Sequence, residues 1–256
     1  MKEFLGIGGY QREAEGYLSW QHLVFVTSLM VVMALTAWLL GRKNRSSQDR
    51  IKNRVLIWAA ILIDSVELLK IVLLCVRSND ATTWLYNLPL FLCSIQLIAI
   101  PMAAFGKGRF REASLDFVFI FGLLGAVLGT YFAGQNYGAY PVLSLDNVAS
   151  GITHSISGFC TLYIGFSGLI SMKRRNIGIC YGILMGFCTA AYIANHLADY
   201  NYMFLMAGDG TPYDFLYNLL GGSPLWYPIG VVVLFLVYIS LFYYGYYLAT
   251  RKKAKV

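Results

Sequence analysis

Long apolar runs, interrupted at short intervals by basic clusters, leave this chain few folds to choose from. A hydrocarbon core ~30 Å thick needs ~20 apolar residues per helix, and the chain supplies about seven such blocks. They lie near 18–40, 54–77, 85–104, 113–133, 149–172, 176–198 and 225–249. Of 256 residues, 58% are hydrophobic and 13% charged, against roughly 45–50% and about 25% in soluble domains. The expectation is an all-α, polytopic membrane helical bundle of about seven transmembrane helices. It forms a single integral membrane domain over 1–256, without soluble domains or long linkers. The first block does not read as a signal peptide, because Glu3, Arg12, Glu13 and Glu15 precede it instead of a short basic region.

Charge predicts orientation. Of the 20 lysines and arginines, all but Lys2, Arg12, Lys70 and Arg77 lie in the loops after the first, third, fifth and seventh blocks. The intervening loops carry Asp80, Asp146, Asp199, Asp209 and Asp214. By the positive-inside rule this predicts the N-terminus outside and the C-terminus inside a cell (cytoplasmic) membrane. The net charge of +7 then reads as topology and contact with anionic lipids, not nucleic-acid binding.

The five cysteines, at 75, 93, 160, 180 and 188, all fall inside blocks and form no CxxC pair. An odd count argues against a disulfide framework. Gly178, Gly182, Gly186, Ala190, Ala194 and Ala198 recur every four residues in the sixth block, a groove that lets another helix backbone approach. Gly125 and Gly129 do the same in the fourth. The tyrosines and phenylalanines of 238–247 read as an interfacial belt. The long loop 199–224 holds a 213–220 stretch that reads equally as an interfacial helix, a lid or plain loop.

Polar side chains inside apolar blocks are costly and normally face the bundle interior. The second block has Asp64, Glu67 and Lys70 at intervals of three, so Glu67 and Lys70 can pair. Either they form a proton, ion or headgroup site, or they set the helix rotation. The fifth block has Ser150, His154, Ser157 and Thr161 on one stripe, which either lines a wet cavity or supplies helix–helix hydrogen bonds. The sixth ends in Asn195, His196 and Asp199, and the first begins with Ser19 and His22. The third holds Asn87, Cys93 and Gln96. At 1.5 Å per residue, Cys93 is roughly 12 Å and His154 roughly 7 Å from the same surface. These residues together predict a one-sided polar chamber that opens outward or to the outer leaflet.

A thiol in apolar surroundings is inert unless a base takes its proton. A histidine within hydrogen-bond reach would be that base, with Gln96 or Asn87 supporting an oxyanion. The chain also resembles a known family. His22, the segment Leu88-Pro89-Leu90-Phe91-Leu92-Cys93, Gly122-Leu123-Leu124-Gly125-Ala126, His154, Asn201-Tyr202-Met203-Phe204-Leu205 and Pro224-Leu225-Trp226-Tyr227 are similar to the YwaF-like bacterial membrane proteins. These are related to eukaryotic transmembrane protein 164, an ether-phospholipid acyltransferase. After Gly125-Ala126 the chain departs from that pattern, running Val127-Leu128-Gly129-Thr130 where an apolar stretch ending in proline is expected.

The resemblance implies Cys93 as nucleophile and His154 as its partner. The expected function is therefore a lipid-modifying enzyme performing thiol-dependent acyl transfer or acyl hydrolysis, with membrane lipids as partners. No cofactor or metal is expected. His196 with Asp199, and His22, are reserve bases. Asp64, Glu67, Lys70, Asn87, Gln96, Ser157, Asn201 and Tyr202 would line the cavity. The alternatives are a transporter or lipid-binding protein using the charges of the second block, and a scaffold built on the Gly/Ala groove.

Overall fold

Helix follows the apolar runs for most of the chain, and breaks where proline, glycine or a polar cap interrupts them. The computed structural model describes residues 1–253, so Lys255 of the basic tail lies outside the described residues. The helices are α1 (Lys2–Leu5), α2 (Trp20–Asn44), α3 (Asp49–Ser78), α4 (Gln96–Phe105) and α5 (Gly108–Tyr131). After them come α6 (Gly134–Ala139), α7 (Leu145–Ser167), α8 (Ile177–Ala198), α9 (Tyr213–Leu219) and α10 (Trp226–Lys253). Single 3-10 turns occupy Ala81–Tyr86, Arg174–Asn176 and Tyr202–Phe204. No strand occurs among the described residues.

The expected count of about seven spans is corrected by this architecture. Among the described residues, four helices are long and apolar enough to cross a membrane: Trp20–Asn44, Gly108–Ala139, Arg174–Ala198 and Trp226–Thr250. The other three blocks fall short for separate reasons. The helix α3 has the length, at 30 residues, but Asp64, Glu67 and Lys70 occupy its middle. The 85–104 block is broken, and its surviving helix α4 has 10 residues, about 15 Å of rise. In α7 the apolar residues are diluted by Ser150, Thr153, His154, Ser155, Ser157 and Thr161. The fold also assigns neither terminus to a side of a membrane. The N-outside, C-inside expectation came from the basic loops alone.

The polar helix α7 occupies the centre. It packs most extensively on α5 and α2 and also touches α3, while α4 lies against α5 and α3 and α8 packs on α10 and α5. Two hydroxyls stitch the central seam. Ser157 Oγ donates to the Gly122 carbonyl at 3.1 Å, and Thr161 Oγ1 donates to the Val118 carbonyl at 2.9 Å. The predicted wet stripe is, over that half, a dry helix–helix contact.

Polar clamps hold both ends of the bundle. At one, the buried Asp116 carboxylate on α5 accepts from Ser171 N–H, Ser171 Oγ, Met172 N–H, Asn176 Nδ2 and the Tyr243 hydroxyl. That fixes the α7–α8 connection and α10 onto α5. At the other, Arg77 grips Asp146 with two bonds of 2.7 and 2.9 Å. The Tyr10 hydroxyl donates to the same carboxylate. Burial and that carboxylate push the Tyr10 phenol up to about 12, so it stays a donor at neutral pH.

Elsewhere the bundle presents apolar side chains outward. Val31, Val32, Leu35 and Leu39 on α2 are exposed, as are Leu62, Leu68 and Leu69 on α3 and Val233, Leu234, Val237 and Leu241 on α10. Surface of this kind is sheltered by lipid in a multi-pass membrane protein. The Gly/Ala groove of α8 is also open, since a Cβ on Gly178, Gly182 or Gly186 would meet nothing within 4 Å.

Candidate functional site

The break before α4 makes the site. Asn87 closes the 81–86 turn, its Nδ2 donating to the Thr83 carbonyl at 3.0 Å. Pro89 then has no N–H with which to continue a helix. Tyr202 ties the break down, its hydroxyl accepting from Leu88 N–H at 3.1 Å and donating to the Leu85 carbonyl. Helical turning resumes at Phe91, whose carbonyl accepts from Ile95 N–H at 2.9 Å. Ser94 Oγ reaches back to accept from Phe91 N–H at 3.0 Å, as a residue three places after a helix cap does. Cys93 thereby stands in the first turn, where backbone N–H groups have no carbonyl to bond.

Upstream, Asp80 starts the 81–86 turn by accepting from Thr82 N–H at 2.8 Å and Thr82 Oγ1 at 2.7 Å. These bonds hold its carboxyl below the usual aspartate range.

The floor is α5. A Cβ on Gly125 would stand 3.3 Å from Cys93 Cα and 3.5 Å from Cys93 Cβ, and one on Gly129 would overlap the His154 ring. Positions four apart on a helix are about 5–6 Å apart on one face. The thiol-bearing turn and the imidazole are thus seated on adjacent turns of the same helix. Both side chains are half-buried. No hydrogen bond joins them; catalytic hydrogen bonds are often long before substrate binds.

The charge cluster lies on α3, which packs on both α4 and α7. Lys70 Nζ and Glu67 Oε1 are 2.6 Å apart, with side chains 15% and 13% exposed. Asp64 joins no ion pair among the described residues. Gln96, one turn beyond Cys93, is 0% exposed, and neither its Nε2 nor its Oε1 has a partner.

The remaining expected residues serve structure or stand apart. His22 is buried with both ring nitrogens engaged: Nδ1 accepts from Leu18 N–H at 3.2 Å and Nε2 donates to the Thr130 carbonyl at 3.1 Å. Its ring also lies 3.9 Å from that of Tyr137. His196 and Asp199 are exposed at the end of α8 and form no ion pair among the described residues. Asn201 organises its own loop, bonding Ala207 O at 2.8 Å, Asp209 Oδ2 at 2.6 Å and Met206 N–H at 2.8 Å. Tyr202 is further held by Asn195, which bonds its N–H at 2.6 Å and its carbonyl at 3.0 Å.

Sequence reasoning missed two contributors. Gly129 read as packing, yet it is the seat of the His154 ring. Tyr213 was only part of an undecided loop, yet its ring stacks on Phe204 at 5.4 Å, and Phe204 lies 5.7 Å from Phe91 in the turn that carries Cys93. No group of three or more His, Cys, Asp or Glu among the described residues could hold a metal ion.

A family model matches residues 17–243, described as the TMEM164 family. The chain belongs to the TMEM164 family. No curated protein and no solved structure matches it. The match to the TMEM164 model extends from before α2 into α10, so α4, α5 and α7 lie within its bounds.

Proposed function

We propose that this TMEM164 family member is a membrane-embedded, thiol-dependent acyl-transfer enzyme acting on a lipid ester. One observation carries the reading: Cys93 and His154 rest on neighbouring turns of α5, at Gly125 and Gly129. The position of Cys93 in the turn that leads into the N-terminus of α4 supports it, because the positive end of a helix dipole favours a thiolate. The resemblance to an acyltransferase relative points the same way.

In the proposed reaction, His154 takes the Cys93 proton and the thiolate attacks the acyl carbonyl. The tetrahedral oxyanion collapses to a thioester, breaking the ester bond, and His154 returns the proton to the departing lipid alkoxide. A second hydroxyl, from an acceptor lipid or from water, then takes the acyl group by the reverse sequence. Gln96 has two unpartnered amide atoms to offer this chemistry, and the Glu67–Lys70 pair forms a polar wall for the headgroup.

A second reading rests on Asp64, which sits mid-helix without an ion partner and would suit a proton-coupled transporter. Acyl-adduct mass spectrometry of the purified protein in phospholipid vesicles separates the two. For the enzyme, Cys93→Ala abolishes the adduct and turnover without altering the melting profile, whereas Asp64→Asn leaves both. Persistence of turnover in Cys93→Ala, with transport lost in Asp64→Asn, sinks the acyl-transfer reading.

A further inference from the structure

The last turn of α5 is the part of the site least held by its own helix. The final carbonyls of a helix have no helical N–H to bond. At the ends of α3, α7 and α8 the N–H of the capping residue meets one of them. Phe132, which ends α5, forms no such bond among the described residues. That last turn contains Gly129, and glycine has the most backbone freedom to lose in a helix. The same turn seats the His154 ring, which a Cβ on Gly129 would overlap. Fraying here moves the imidazole.

A side chain from α2 takes the place of the missing cap. His22 is buried, and its Nε2 donates to the carbonyl of Thr130 at 3.1 Å, the residue directly after Gly129. The direction of that bond is set from the other side of the ring. Leu18 N–H donates to Nδ1 at 3.2 Å, so the neutral ring carries its proton on Nε2. Leu18 holds φ 60° to do this, a left-handed backbone that non-glycine residues rarely adopt. Such strain persists only where the surroundings over-determine it. Here Ser19 Oγ accepts from His22 N–H at 3.2 Å, and the Tyr137 ring lies 3.9 Å from the imidazole. Thr27 Oγ1 and the Tyr131 hydroxyl, 3.0 Å apart, tie α2 to the same turn a second time.

We propose that His22 is a positioning residue: its Nε2–H caps α5 and so fixes the Gly129 turn on which His154 is seated. This rests on the acyl-transfer reading above, in which His154 takes the Cys93 proton. His22 keeps its own proton throughout and acts only on where the His154 ring stands. A displacement of about 1 Å in a reacting group can cost about 100-fold in rate.

The test uses the full chain in phosphatidylcholine vesicles with p-nitrophenyl laurate as the acyl donor. The nitrophenolate burst gives the acylation rate, and amide hydrogen exchange at Thr130 and Tyr131 reads the end of α5. His22→Gln and His22→Met are nearly equal in length, and only the first brings an N–H to the Thr130 carbonyl. His22→Met is expected to slow the burst by about 100-fold, with KM unchanged and faster exchange at both amides. His22→Gln should restore most of the burst rate and of the protection. Burst rate constants describe only the chains that fold, so a smaller amplitude in either variant does not blur the comparison. Equal bursts in the two variants, with Cys93→Ala silent, overturn the role of His22 but leave the acyl-transfer reading standing. A slow His22→Met with wild-type exchange at Thr130 and Tyr131 overturns the cap in the same way. An undiminished burst in Cys93→Ala overturns both.

Discussion

The His154 imidazole lies where a side chain on residue 129 would be, so the close approach of that ring requires glycine at 129. Gly125 stands in the same relation to Cys93, though its contact is with backbone and Cβ. An added methyl at 129 has to displace the ring, and a displacement of about 1 Å in a reacting group can cost about 100-fold in rate. Gly129→Ala is therefore expected to cut acyl-adduct formation at Cys93 by about that much, while far-ultraviolet circular dichroism shows unchanged helix. Gly182→Ala on the open face of α8, where a Cβ meets nothing within 4 Å, is the matched control and should leave the rate as it is. Equal rates in Gly129→Ala and wild type would show that the ring position does not matter.

Among the elements, the break between α3 and α4 is the one on which the site depends. Asp80 starts it and Ser94 ends it. The Asp80 carboxyl is lowered in the folded chain by the bonds from Thr82, so those bonds add stability above the ordinary aspartate value of about 3.9. That contribution is lost as pH falls through the lowered folded value. Amide exchange at Thr82, corrected for intrinsic rate, should be slow at neutral pH and accelerate in strong acid. In Asp80→Asn, which caps without titrating, the profile should be flat across the same window. An identical pH profile in both proteins would remove Asp80 as the cause.

At the scale of the whole molecule, buried polar clamps hold the helices in register where apolar packing has no direction. Asp116 satisfies donors from the α7–α8 connection and from α10 at once. Asp116→Ala would leave several buried donors without an acceptor, each worth about 1–3 kcal/mol. A loss of at least about 3 kcal/mol is expected on that basis, read as denaturant unfolding of the protein in detergent micelles. Glu112→Ala, four residues away on α5, breaks only contacts of the more exposed Lys173 and Arg175 and should cost about 0–1 kcal/mol. Comparable losses in the two variants would show that Asp116 is not the anchor.

Composition and apolar periodicity were enough to establish an all-helical membrane protein, because bilayer solvation demands long apolar helices whatever their arrangement. Motif resemblance was enough for the TMEM164 family, and for singling out Cys93 and His154. Hydropathy blocks could not separate the four lipid-length apolar helices from α3, α4 and α7. A block average does not register the break at Asn87–Pro89, the charge cluster in mid-α3 or the enclosure of α7 by protein. Nor could spacing along one helix reveal that Ser157 and Thr161 are spent on carbonyls of α5. It could equally not show that His22 has both nitrogens engaged, or that Tyr202 ties down the Leu85–Leu88 break across more than a hundred residues. Those facts are contacts between elements, and they exist only once α5 and α7 have met and the 199–224 loop has closed on α4. Hydrophobic burial is non-directional: it brought these helices together, and the close approach at two glycines decided what faces what.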